Sequence, residues 1–407
     1  MNVLLLSTYQ TTGGAAIACN RLMHALRKNG VQANMLCRHD IPWWPKRMKP
    51  QSYTSLWERL VIWLRNGLNH KTMWAYDTAS CGQDVTKTKA FREADVIHLH
   101  WINQGFLSLR TIEKILRSGK RVVWTMHDEW PLEAVEHYTD PAATPDKRWQ
   151  DVLQKKQRLY SLGHITFVTC SQWLRDISLQ KPLAQGQEVI SIPNPIDTTL
   201  FAPVSDKTMA RQRFGLPSDK KVVLFVCQSV TDKRKGLDYL IAAAEQLGDV
   251  AIALVGNNTD VVAHNMPRNV TTYPLGSIRD VSLMAQLYAA CDCFVTPSLH
   301  DNLPNTIMEA MSCGTPCVGF HVGGIPEMID HQVNGYVAQY KDAADLAQGI
   351  RYVLSTDNHH RLSLAARSKV EQCYSESAVA EQYITVYNRP TPSLPVREGE
   401  GVAKYHR

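Results

Sequence analysis

No apolar run in this 407-residue chain approaches the roughly 20 residues that a membrane-crossing helix needs. None of its ten cysteines forms a C-x-x-C pair: Cys291 and Cys293 are two apart, Cys313 and Cys317 four, and the others are scattered. That spacing excludes a thiolate metal site of the usual kind. Settings such as Val168-Thr169-Cys170 instead suit cysteine as a small, reduced hydrophobe. An extended Lys/Arg run and an aromatic-plus-basic RNA motif are also missing. The mild net charge of +6, from 44 basic and 38 acidic residues, therefore points to an anionic ligand or membrane surface and away from nucleic acid. The opening Met1-Asn2-Val3-Leu4-Leu5-Leu6-Ser7 has no basic n-region and turns polar too soon for a signal peptide. It reads as a buried strand, and the expected location is the cytoplasm.

What the sequence does have is an alternation of short β-branched runs with helical patterns. Strands are expected at Val3–Leu6, Ala33–Cys37, Val96–His100, Val122–Met126, Ile165–Cys170 and Val189–Ile192, then at Val222–Cys227, Ala251–Val255, Cys293–Thr296 and Pro316–Phe320. Helical stretches include Ala15–Lys28, Leu107–Arg117, Trp149–Ser161, Leu237–Leu247, Val281–Ala290, Thr306–Ser312 and Ala343–Leu354. Continuous apolar strands alternating with helices mean parallel sheets covered on both faces, the α/β class. Length favours two or three domains. Pro193 and Pro195, followed by a charged stretch to Lys220, mark the boundary, giving domains 1–196 and 197–374. Residues 375–388 form a last helix, and the proline-bearing 389–407 is expected to be a disordered tail.

Residues 41–70 break the rhythm. Leu56, Trp57, Leu60, Trp63 and Leu64 share one helical stripe, with Arg59 and Arg65 off it. Two readings stay open: a helix packed on its own domain, or a contact with an anionic membrane surface.

Chemistry gathers at expected strand ends. Gly13 and Gly14 open a helix straight after the first strand, where free N–H groups could meet phosphate or a sugar hydroxyl. His127 follows another strand, at the sheet edge where open α/β folds bind ligands; the plainer alternative is a histidine capped by Asp128. Arg234 and Lys235, within Asp232-Lys233-Arg234-Lys235-Gly236, are either a solvated charge run or a diphosphate site. Glu309 is a carboxylate on an otherwise apolar helix, Thr306–Ser312, where burial is costly unless hydroxyls or other donors satisfy it. Asp301, with Asn302 and Leu303, could hold a polyol, and Gly323-Gly324 before another helix could receive an anion.

From Asp301 through Glu309, Ala310-Met311, Gly314 and Pro316 these residues resemble the retaining GT-B glycosyltransferases of family 4, particularly bacterial exopolysaccharide and lipopolysaccharide members. The resemblance runs to about Tyr387. It implies two facing Rossmann-like domains with a cleft between them, and residues 375–387 crossing back to the first. By it, Glu309 would bind the donor ribose, and Asp301, Asn302 and Leu303 the transferred sugar. Arg234 and Lys235 would neutralise the diphosphate, His127 would contact the donor sugar, and Gly14 would line the phosphate side. Two departures stand out: the first acid is Asp301 where the family usually has Glu, and Arg234 adjoins Lys235. Residues 133–145 lack the cysteines that near relatives insert there, so no zinc is expected.

The implied activity is transfer of a hexose or related sugar from a nucleotide-sugar, with retention and without metal or other cofactor. The acceptor would be a glycan or lipid-linked glycan in cell-surface polysaccharide synthesis, at the inner face of the plasma membrane. A nucleotide-sugar epimerase of the same shape and a non-catalytic glycan- or nucleotide-binding scaffold are the alternatives.

Overall fold

The computed structural model describes residues 1–40, 50–69, 73, 75–139, 146–264 and 266–390. The Trp43–Trp44 part of the 41–70 segment and the tail beyond residue 390 lie outside them.

Two six-stranded sheets organise the chain. The first holds β1 (Asn2–Ser7), β2 (Gln32–Cys37), β3 (Val96–Leu99), β4 (Arg121–Met126), β5 (Ile165–Thr169) and β6 (Glu188–Ser191), in the order β2-β1-β3-β4-β5-β6. The second holds β7 (Lys221–Ser229), β8 (Val250–Asn257), β9 (Thr271–Pro274), β10 (Cys293–Thr296), β11 (Cys317–Phe320) and β12 (Gly335–Ala338), in the order β12-β11-β10-β7-β8-β9. Every pairing is parallel, for example Val3 with Val96 and Val222 with Ala251. The strands are apolar nearly throughout because helices cover both faces, as in β1, where Val3 to Leu6 are all buried. All ten expected strands form. The two missed, β9 and β12, have polar or glycine-bearing sequences (Thr-Thr-Tyr-Pro and Gly-Tyr-Val-Ala) at the two sheet edges. Edge position removes the demand for a continuous apolar run.

The segment after the paired prolines is not a plain linker. Asp206 caps a helix over Lys207–Arg213, accepting from the Met209 N–H at 3.0 Å. Arg211 then runs into the second domain, where its buried guanidinium meets Asp292. The terminal helix Glu376–Asn388 returns to the first domain: Val379, Ala380, Tyr383, Val386 and Tyr387 pack with Val3, Leu5 and Leu22. Cys19 and Leu22 of α1 (Gly14–Lys28) belong to the same cluster. The two crossings run side by side, joined where the Ile196 N–H donates to Tyr374 O at 2.9 Å. All ten cysteines are free and eight are buried, in keeping with their apolar settings.

Helix α2 (Pro50–Arg65) carries the aromatic-rich segment. Trp63 keeps its place in the helix but is half-buried, donating its Nε1–H to Leu68 O at 3.0 Å.

Candidate active site

On the first domain the site begins where strands end. Gly13 precedes α1 at φ +89°, a conformation that disfavours a side chain. Gly14 meets the second domain through its carbonyl, which accepts from Asn305 Nδ2 at 3.2 Å.

His127 follows β4 and is half-buried, its ring turned inward. Burial lowers its pKa to about 4, so the imidazole is neutral at pH 7. Its Nε2 lies 3.1 Å from His100 Nδ1 and its Nδ1 3.6 Å from Cys170 Sγ. Asp128 does not cap it, contrary to the plainer sequence reading. That carboxylate turns to His137 Nδ1 (2.7 Å), Trp101 Nε1 (3.1 Å) and its own loop at the Trp130 N–H (3.1 Å). His137 uses its other nitrogen on Asp77 at 3.0 Å, and Asp77 pairs with Arg59 of α2 at 2.5 Å. Burial alone would depress the His137 pKa, but Asp128 and Asp77 outweigh it and raise the value to about 10. A buried imidazolium thus fixes the loop that presents His127.

On the second domain the basic loop is held as tightly. Asp232 accepts from the Arg234 N–H at 3.0 Å, forming one helical turn over Lys233–Lys235. Gly236 then turns at φ +70°, where a Cβ would sit 1.8 Å from Pro297 O; only glycine allows this approach. The Leu299 N–H donates to Arg234 O at 2.8 Å. These ties set Lys235 Nζ 2.6 Å from Asp301 Oδ2. The Arg234 guanidinium lies 5.5 Å from the centroid of the Tyr138 ring, which belongs to the first domain. Lys233 lines a separate cavity of about 250 Å³ with Thr231 and Leu237.

Glu309 lies on the helix Asn305–Ser312, between buried Met308 and Ala310. Two partners offset its desolvation: Arg21 Nη2 of α1 at 2.5 Å and the Tyr288 hydroxyl at 3.0 Å. Asn302 bridges the domains, its Oδ1 accepting from Ser171 Oγ at 2.5 Å and its Nδ2 donating to His127 O at 3.3 Å. Leu303 is buried in the second domain's core. Of the two glycines expected to receive an anion, Gly324 has its N–H taken and Gly323 is needed for a close approach. A Cβ on Gly323 would lie 1.7 Å from Asp301 O, and the Gly324 N–H is already donated to Asn302 O at 2.8 Å. They press the Asp301 loop into place, and the helix they open spans only Ile325–Met328. Glu327 beside them caps a first-domain helix, accepting the N–H groups of Gln172 (2.7 Å) and Trp173 (2.6 Å).

The chain matches two family models in tandem: residues 12–200 fit the Glycosyltransferase Family 4 model, and residues 220–356 fit that of the group 1 glycosyl transferases. It belongs to the group 1, family 4 glycosyltransferases. One relative is the N-acetyl-alpha-D-glucosaminyl L-malate synthase of Bacillus anthracis, 26% identical over 390 residues, covering 94% of this chain and 95% of that one. Another is the N,N'-diacetylbacillosaminyl-diphospho-undecaprenol alpha-1,3-N-acetylgalactosaminyltransferase of Campylobacter jejuni, 29% identical over 202 residues, covering 48% and 52%. The crystal structure of Anabaena HepE in complex with UDP-glucose shares the fold at a TM-score of 0.62, with 19% identity, covering 95% of this chain and 99% of that one. The architecture is GT-B.

In this glycosyltransferase the two domains meet through His127–Asn302, Gly14–Asn305 and Arg21–Glu309, while Lys235 and Asp301 pair within the second. Arg21, Tyr138 and His137 were missed in the sequence. Arg21 sits at an ordinary helix position; only the need of Glu309 for a donor pointed to such a partner.

Proposed function

We propose that this family 4 glycosyltransferase moves a hexose-type sugar from a nucleoside-diphosphate sugar to a glycan or lipid-linked glycan, with retention and without metal. The acceptor would be met on the cytoplasmic side of a membrane, in cell-surface polysaccharide synthesis. The observation that carries the reading is the Lys235–Asp301 pair, 2.6 Å apart, beside Arg234 and the interdomain Asn302. Lys235 and Arg234 offer cations to the charge that builds on a departing diphosphate. Asp301, shorter than glutamate, reaches its sugar hydroxyl with Lys235 as its support. Neutral His127 can give or take a hydrogen bond at the transferred sugar without adding charge. Glu309 suits ribose hydroxyls once Arg21 yields. In front-face transfer the donor's phosphate oxygen draws the acceptor proton, and domain closure limits hydrolysis.

The Campylobacter relative, named for a diphospho-undecaprenol acceptor, supports the lipid-linked reading, and the UDP-glucose complex of the fold neighbour supports the donor class. The test is donor turnover with a lipid-linked acceptor in EDTA, with the product anomer read by NMR. Transfer with retention is expected. Loss of transfer restored only by Mn²⁺, or an inverted product, overturns the mechanism. Donor conversion without acceptor would favour an epimerase.

A further inference from the structure

Helix α2 buries Glu58 and Arg59 alongside Ile62, while Leu56, Trp57, Leu60 and Leu64 stand 66%, 56%, 42% and 56% exposed. Those four positions share one face of a helix, and Leu68, 54% exposed just past its end, continues the patch. The polar side explains the orientation. Glu58 accepts from Thr78 Oγ1 (2.8 Å), the Ala79 N–H (2.8 Å), the Ser80 N–H (3.1 Å) and Ser80 Oγ (2.7 Å). Arg59 binds Asp77 and donates to Met73 O at 2.5 Å and Tyr76 O at 3.1 Å. Rotating the helix to bury its leucines would strand this buried carboxylate and guanidinium.

We infer that the outward apolar face of α2 docks on an anionic lipid bilayer. Charge selects the occupant. Between Asp40 and Asp77 the sequence has Lys46, Arg47, Lys49, Arg65 and Lys71 besides the buried Arg59, with Arg65 paired to Asp151 at 2.5 Å, and its single acid, Glu58, is buried. An apolar stripe in basic chain with no outward acid suits anionic headgroups over acyl tails. Two copies meeting through this face would bring like charges together. No helix among the described residues is long and apolar enough to cross a membrane, so α2 would lie flat.

Position gives the contact its use. The anchoring residue Asp77 accepts from the Gln104 N–H (3.1 Å), its carbonyl accepts from Trp130 Nε1 (2.6 Å), and it holds His137. Those partners are the loops that follow β3 and β4, the latter carrying His127. The buried face of α2 therefore rests on the first domain's side of the cleft, with the docked face on the far side of the same helix, about 10 Å out. The inference rests on the lipid-linked acceptor reading for its purpose, and on the α2 geometry for its site.

The test floats the full-length protein with vesicles of phosphatidylglycerol and phosphatidylcholine, and with phosphatidylcholine alone. Binding is expected only to the anionic vesicles and should weaken with salt. The double variant Trp57→Ser, Leu60→Ser should reduce it by about tenfold or more, at an unchanged melting temperature because both side chains are exposed. A wild type that stays at the bottom of the gradient, or a variant that floats equally well, overturns the inference. So does light scattering that finds a vesicle-free dimer dissolved by the same substitutions, which would assign the face to a second copy. A nucleotide-sugar melting shift on the same samples separates the two readings: donor response without flotation sinks docking alone, and flotation without donor response sinks the transferase site alone.

Discussion

Arg21 of the first domain and Glu309 of the second meet at 2.5 Å, placing a guanidinium on the carboxylate proposed to receive the donor ribose. The other Arg21 nitrogen, Nη1, is buried without a hydrogen-bond partner. The pair both clamps the domains and competes with the ligand. Such a charged hydrogen bond is worth about 1.5–3 kcal/mol. Arg21→Ala should therefore lower the melting temperature of the free protein and enlarge the shift produced by a nucleotide-sugar. A smaller shift than wild type would show that Arg21 binds the donor itself.

Lys235 offers a sharper test of the chemistry. Its partner Asp301 and its backbone anchors hold it in place before any ligand arrives. Lys235→Ala should cut kcat by about 10²–10³ while leaving the fold intact, since the side chain is partly exposed. Arg234→Ala, losing the guanidinium that reaches towards Tyr138, should raise KM more than it lowers kcat. Steady-state kinetics on both variants would check the division, and normal turnover in Lys235→Ala would misplace the diphosphate site.

Much of this site was legible in the sequence, for a physical reason. Glu309 stood out because a carboxylate among Ile307, Met308, Ala310 and Met311 contradicts its surroundings, and Arg234 with Lys235 because cations gather just past a strand end. The strands were legible because burial on both faces writes continuous apolar runs. What stayed hidden is what the other domain supplies. Arg21, Ser171 and Tyr138 meet their partners across 288, 131 and 96 positions of sequence, and no local pattern encodes such pairs. Gly324 misled because a glycine before a helix looks the same whether its N–H is free or, as here, already donated to Asn302.

The imidazolium of His137 makes a pH prediction that isolates one group. Its folded pKa, raised to about 10, means that its stabilisation is complete below 6.5 and is lost as pH rises through 10. Lys156 opposes this in the wild type: burial lowers its pKa to about 7, so stability from that group rises with pH above 7. The difference between wild type and His137→Gln cancels the lysine. It should be largest near pH 6, about 3–5 kcal/mol for a broken buried pair, and shrink towards pH 10. Urea midpoints at the two pH values decide it; a constant difference would mean that His137 is neutral.

The acid side has a different cause and a separate window. Burial holds His98 at about 3 and His127 at about 4, and lowers His100 well below its usual value. Each is neutral when folded, whereas the unfolded chain takes up protons below about 6.5. The unfolded state then binds more protons, so stability falls as pH drops from 6.5 towards 4, by up to about 1.4 kcal/mol per pH unit for each histidine. Carboxylates with lowered values, such as Asp128 and Asp292, add to the loss only below about pH 5 and equally in both proteins compared. His98 is suited to the test because it lies behind the site, bonded to Tyr387 and Thr125 at 2.7 Å each. His98→Gln cannot take up that proton, so its stability should fall less steeply than the wild type's between pH 6.5 and 4, whatever its starting value. Equal slopes in a urea series would show that His98 keeps its usual pKa in the folded chain.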